Sequence, residues 1–186
     1  MEPEYKDDKL RELMLFIAQR MENNINFGAT VLNKVLFFAD FLAYATLGVP
    51  ITGAVYQKLD HGPAPRQLLP EQERLINDGR AVLQTRELGG FVQKRLVPLD
   101  DPKLDLFTPD EIALVIQIID TLGDKTALAM SELSHRLSTG WRAAELHEDI
   151  RYATVFLRSP MEHTATQIKF AKELDLELEL EYPSAS

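Results

Sequence analysis

The stretch Lys58 to Pro70, KLDHGPAPRQLLP, holds the residue types in this chain closest to a reactive set. Asp60 and His61 are adjacent, and Arg66 follows after Gly62-Pro63-Ala64-Pro65. In a pocket, an arginine holds a carboxylate or phosphate and a histidine moves a proton. With Asp40, His61 and Arg66 would make a small polar enzyme site. A structural reading competes with this and is taken first. Adjacent residues point in different directions, so Asp60 and His61 are not automatically a pair. Gly62-Pro63 is a turn signal. Asp40 would be costly to bury alone, and His61, Arg66 or the free N–H groups of a helix start after Pro65 could serve it. The stretch is then a rigid turn that docks on a central helix and aims the next one.

Other reactive patterns are missing. The histidines His61, His135, His147 and His163 show no i, i+4 pair, and there is no cysteine, so no metal motif is present. Ser131 and His135 share a helix face beside Glu132, but the strained G-x-S-x-G turn of a serine hydrolase is absent. Neither glycine-rich phosphate motif occurs. No catalytic residue, metal or cofactor is expected, and the chain is not read as an enzyme.

The elements that would position these residues are mainly helical. Asp7 or Asp8 caps a first helix with a stripe of Leu10, Leu13, Met14, Ile17 and Met21. Thr30 to Leu47 is apolar nearly all round, which marks a buried central helix, with Gly48 as its C-cap and Pro50 forbidding continuation. One narrow face stays mixed: Asn33, Phe37, Asp40 and Tyr44. PITGAVYQKL reads as an extended segment, a helical turn is expected from Pro65, and a helix from Pro70 to Asp78. Residues 80–99 read as a β-hairpin about Gly89-Gly90. Thr108-Pro109-x-Glu111 opens a helix with a capping box, whose buried face is Ile112, Val115, Ile116, Ile119 and Leu122. A further helix runs from Thr126 to Leu137, then a Ser-Thr-Gly loop before Trp141. Ser159-Pro160-Met161-Glu162 repeats the cap signature and opens a last helix to Glu173. Beyond it Leu174, Leu176, Leu178, Leu180 and Tyr182 alternate with acids, the period of a strand. That segment would add a third strand to the hairpin, facing Arg86, Lys94 or Arg95, or form an acidic tail. The expectation is a mainly α domain over residues 1–173, with five to six helices around a buried central helix and a small hairpin, followed by a strand or tail at 174–186.

Composition narrows the partners. The chain has 186 residues, 45% of them hydrophobic, enough for one domain with a core. No run of about 18 apolar residues and no signal peptide is read in it, so no membrane association is expected. The lack of cysteine fits a reducing compartment, and a cytoplasmic protein is expected. The net charge of −9 opposes nucleic acid and anionic membranes. A helix plus hairpin could be arranged as a winged helix, but the helix Thr126–Leu137 offers Glu132 with only Arg136 as a firm cation, so DNA binding is not expected.

LNKVLFFADFLAYATLGVPITGAVYQKLDHGPAPRQL, Leu32 to Leu68, resembles the Panacea antitoxin domain, also called SocA-like or GepA-like. The matching order is Lys34, Phe37, Phe38, Ala39, Asp40, Gly48, Pro50, Ile51, Thr52, Tyr56, Gly62, Pro63 and Pro65. LSHRLSTGW (133–141) and IRYATVFL (150–157) resemble later elements of that family. Ala64 stands where valine is common, Pro70 interrupts a helix that is usually continuous, and the Leu/Glu tail has no counterpart. The resemblance implies an antitoxin that binds and neutralises a protein toxin, often encoded beside it in bacterial or phage two-gene units. One branch of the family is a proteolytic adaptor that delivers its toxin to a protease. The alternatives carried with it are that adaptor role, a DNA-binding regulator and the small enzyme with Asp40, His61 and Arg66. Toxin-contact candidates are Tyr44, Tyr56, His61, Arg66 and Trp141, with Trp141 equally readable as core. Lys34, Asp40, Gly48, Pro50, Gly62, Pro63 and Pro65 form the structural motif.

Overall fold

The computed structural model describes residues 3–157 other than Gly89. Among the described residues, five α-helices and two small sheets surround a sixth, long helix. The expected last helix, third hairpin strand and acidic tail lie outside the described residues, as does the boundary at 173.

The first helix, α1 (Asp7–Arg20), buries its whole expected stripe, and Leu15, Phe16 and Ala18 besides. Its acids are not caps: Lys6 is the N-cap, and Asp7 and Asp8 sit in the first turn, where they offset the positive helix end. The central helix, α2 (Ala29–Leu47), ends as expected at Gly48, in the left-handed region at φ +82°. By length and composition it is the one helix among the described residues that could cross a bilayer, contrary to the reading that no such run exists. Its packing gives a different reason for the apolarity, because α1 and several later elements lie against it.

From Lys58 to Pro65 the stretch forms strands and a turn, and only Leu68-Leu69-Pro70 is helical. Strand β1 (Tyr56–Leu59) turns at Asp60-His61 into β2 (Gly62–Pro65), paired antiparallel with Tyr56 opposite Pro65 and Leu59 opposite Gly62. The helical turn expected from Pro65 is therefore the end of a strand. Two physical reasons favour it. A residue before proline avoids the helical region, which applies to both Gly62 and Ala64. Strand β2 is also an edge, where missing proline N–H groups cost little. All four residues of β2 are buried, packed on α2 and on a later helix. The other side of β1 pairs with the short strand β5 (Asp149–Ile150).

Helix α3 (Leu68–Asn77) starts two residues before the expected Pro70. The expected hairpin forms from β3 (Ala81–Leu88) and β4 (Phe91–Pro98), with Ala81 opposite Pro98. Helix α4 (Pro109–Leu122) carries the capping box: Glu111 N donates to Thr108 Oγ1 (3.2 Å), and Thr108 N donates to Glu111 Oε2 (2.8 Å). Its buried face is rotated from the expected one, with Val115, Ile118 and Ile119 buried and Ile112, Ile116 and Leu122 partly so. Helix α5 (Ala127–Leu137) is capped by Thr126. The expected loop before Trp141 is instead a short helix, α6 (Thr139–Ala143), capped by Ser138 Oγ on Trp141 N (3.0 Å). A 3-10 turn, Tyr152–Phe156, closes the described chain.

Candidate functional site

Two faces of α2 matter, one polar and buried, the other apolar and open. On the polar side Asp40 is completely buried, and among the described residues no cation touches it. Its Oδ1 accepts from Thr52 N (2.7 Å); its Oδ2 accepts from Thr52 Oγ1 (2.5 Å) and from the Tyr56 hydroxyl (2.9 Å). The Tyr152 hydroxyl lies 3.4 Å from Oδ2 and donates to Ala54 O (2.7 Å). Burial pushes the Asp40 carboxyl upward in pKa, against the downward pull of these donors. Burial and the Asp40 charge push the Tyr56 hydroxyl well up. Neither His61 nor Arg66 serves Asp40, so the expected partners are replaced by two tyrosines and a threonine. The layer ties α2 to the segment after Pro50 and to the 3-10 turn.

Six residues earlier on α2, Lys34 is also buried, and its ammonium donates to Pro63 O (3.1 Å). Burial pushes it down to about 7. Gly62 is what lets β2 approach so closely. Its φ is +99°, and a Cβ there would lie 2.7 Å from Lys34 Nζ and 2.6 Å from Ser134 Oγ. Lys34, Gly62 and Pro63 thus lock β2 onto α2.

The five toxin-contact candidates are spread over the molecule. Tyr56 is wholly buried, which removes it as a surface contact and makes it part of the Asp40 layer. Trp141 is half-buried: His135 stacks on it (3.7 Å, 7°), its Nε1 donates to Leu59 O (3.1 Å), and the Lys58 ammonium lies 4.5 Å above the ring. Burial, then the charges of Lys34, His61 and Lys58, push His135 down. His61 is exposed on the β1–β2 turn. Arg66 is exposed, with its Nε on Asp149 (2.6 Å) and its Nη2 on His147 O (2.5 Å), where it fastens the β5 segment. Tyr44 packs against Tyr152 and Phe156 with ring centres 5.6 and 5.8 Å away. Asp40 and Arg66 hold separate partners, His61 stands exposed, and the three share no pocket among the described residues. Among the described residues no group of three or more histidines and acids could hold a metal ion.

The apolar side of α2 floors a groove of about 360 Å³. Phe37, Phe38, Phe41 and Leu42 come from α2, Ile118 and Leu122 from α4, and Leu133 and Leu137 from α5. The 3-10 turn adds Val155, and Leu157 follows it. None of the fifteen lining residues is charged, so the groove suits apolar side chains and offers no acid–base group. Leu137 is 60% exposed and Leu157 55%. Phe156, 63% exposed, stands next to this rim. Sequence reasoning missed the groove. Its signal was present in α2: a helix apolar on nearly every side has more apolar surface than its neighbours need, and here the described residues leave part of that surface uncovered.

The family described as antitoxin SocA-like, Panacea domain, matches residues 32–142, more than half of the chain. That range contains Lys34, Asp40, Gly62 and Trp141, and the α2, α4 and α5 walls of the groove. No curated protein and no solved structure matches. The chain belongs to the SocA-like antitoxin family that carries the Panacea domain.

Proposed function

We propose that this protein is an antitoxin that neutralises a cognate protein toxin, encoded by an adjacent gene, by direct contact through the α2–α4–α5 groove. The observation that carries this reading is the groove itself: open, uncharged, and built almost wholly within the family-matched residues. Apolar and aromatic side chains seated in a desolvated pocket supply most of the binding energy of protein interfaces. The toxin would present such side chains, and neutralisation needs only that the bound antitoxin cover the toxin's working surface. Tyr44 joins the rim through Phe156, whereas His61, Arg66 and Trp141 lie on other elements and would be secondary contacts. This reading puts the protein in the cytoplasm, with its toxin.

The test is co-expression with the toxin of the neighbouring gene. The unaltered chain restores growth and co-purifies with the toxin. Leu137→Asp leaves the fold intact and weakens binding by about 2 kcal/mol or more, a hot-spot loss. Rescue by Leu137→Asp at full strength and unchanged affinity would remove the groove from the mechanism. The amount of toxin separates two routes: it stays constant under occlusion and falls if the protein hands its toxin to a protease.

A further inference from the structure

His135, in the last turn of α5, is held by contacts that suit only its neutral form. Its ring lies flat on Trp141, 3.7 Å away and 7° from parallel. Its Nε2 is buried and, among the described residues, has no hydrogen-bond partner. The neutral ring tolerates this, because the tautomer with its proton on Nδ1 leaves Nε2 a bare acceptor. The imidazolium does not. Both nitrogens then carry hydrogen, and Nε2–H becomes a buried, charged donor with no acceptor.

The charges around the ring add to the conflict. Lys34 on α2, Lys58 on β1 and His61 on the β1–β2 turn oppose a further cation, and Glu132 on α5 itself favours one. Lys34 is mainly protonated below its pKa of about 7, so its repulsion is in place when a histidine titrates. Asp60 beside His61, Arg136 after His135 and Arg142 on α6 are exposed, and solvent screens them. The indole ring and the C-terminal carbonyls of α5 favour a cation. The indole, however, already holds the Lys58 ammonium, 4.5 Å from its centre. Neither the ring nor those carbonyls give Nε2 an acceptor. The stack joins separate elements: Trp141 Nε1 donates to Leu59 O (3.1 Å), and Lys58 Nζ donates to Ala144 O (2.9 Å).

We propose that His135 is a proton-operated latch: neutral, it pins Trp141 and the β1–β2 turn against α5; protonated, it leaves the stack and frees them, exposing Trp141, Lys58 and His61 together. The latched form binds the proton more weakly than the released one. The latch is therefore at full strength above pH 6.5 and weakens as pH falls below it. It acts without a toxin, so it and the docking reading above can fail separately.

Trp141 is the chain's sole tryptophan, so quenching of its fluorescence by acrylamide reads the latch directly. The full chain is titrated from about pH 8 to about pH 5, the range in which a histidine changes charge. Far-UV circular dichroism checks that the helices persist. The quenching constant is expected to rise about twofold or more on acidification, as the released population replaces the latched one, with the dichroism unchanged. His135→Phe keeps a stacking ring and removes the proton, and its quenching should stay low throughout. Lys34→Met removes one facing charge and should move the midpoint of the rise up by about half a pH unit or more. No rise in the unaltered chain, or an equal rise in His135→Phe, would overturn the proposal. A midpoint unmoved by Lys34→Met, or a rise that coincides with loss of the helical signal, would overturn it too.

Discussion

Lys34 is a single residue with a measurable signature. It is buried against one carbonyl, and its ammonium is pushed down from an ordinary 10.5 to about 7. Below pH 7 both folded and unfolded chains carry the proton, and the fold bears the full cost of burying it. Between about 7 and 10.5 the unfolded chain binds a proton that the fold does not, so stability rises with pH; above 10.5 the effect is gone. Lys34→Met is expected to raise stability at pH 7 by up to a few kcal/mol, and to flatten the rise between pH 7 and 10, as read from urea midpoints. An equal slope in both proteins would contradict the assignment. Gly62→Ala should cost about 1–3 kcal/mol, because alanine resists φ +99° and its methyl meets Lys34 Nζ and Ser134 Oγ. Asp40's need for partners was readable from burial cost alone. The identity of those partners was not, because Tyr152 is 112 positions away and nothing local marks it.

At the scale of elements, local signals were reliable where a cap or turn settles the matter. Thr108-Pro109-x-Glu111 gave α4 its start, and Thr108→Ala should lower stability by about 1 kcal/mol, as thermal unfolding would show. Where two local signals conflict, tertiary packing decides. Pro65 is acceptable at a helix start and also at the end of an edge strand; the surfaces of α2 and α5 select the strand. The rotated face of α4 has the same origin. Its spacing admits several neighbouring stripes, and contact with α2 turns Ile118 inward, toward the groove. The helix α6 depends on one serine cap and the stacking of Trp141 on His135, and five residues carry too little periodicity to be recognised.

For the whole molecule, charge and shape make separate predictions. The net charge is −9, yet the groove is uncharged. If a toxin binds there, its dissociation rate should change less than about threefold between low and high salt, because apolar burial is not screened. Its association rate remains free to respond to the overall field. A steep salt dependence of dissociation would move the interface elsewhere. The whole-molecule features most visible in sequence were the central helix and the mainly helical class. The groove required the relative placement of α2, α4, α5 and the 3-10 turn, which no single stretch encodes. The depth of α2 also bears on how the protein is made. Its nineteen residues leave the ribosome before α4, α5 and Tyr152, the elements that later shelter them. Nascent chains that stop before α4 therefore display an apolar helix with two buried-type charges, sheltered only by α1, β2 and β4. Such fragments are substrates for chaperones and degradation, so translation that halts early yields no partly working protein.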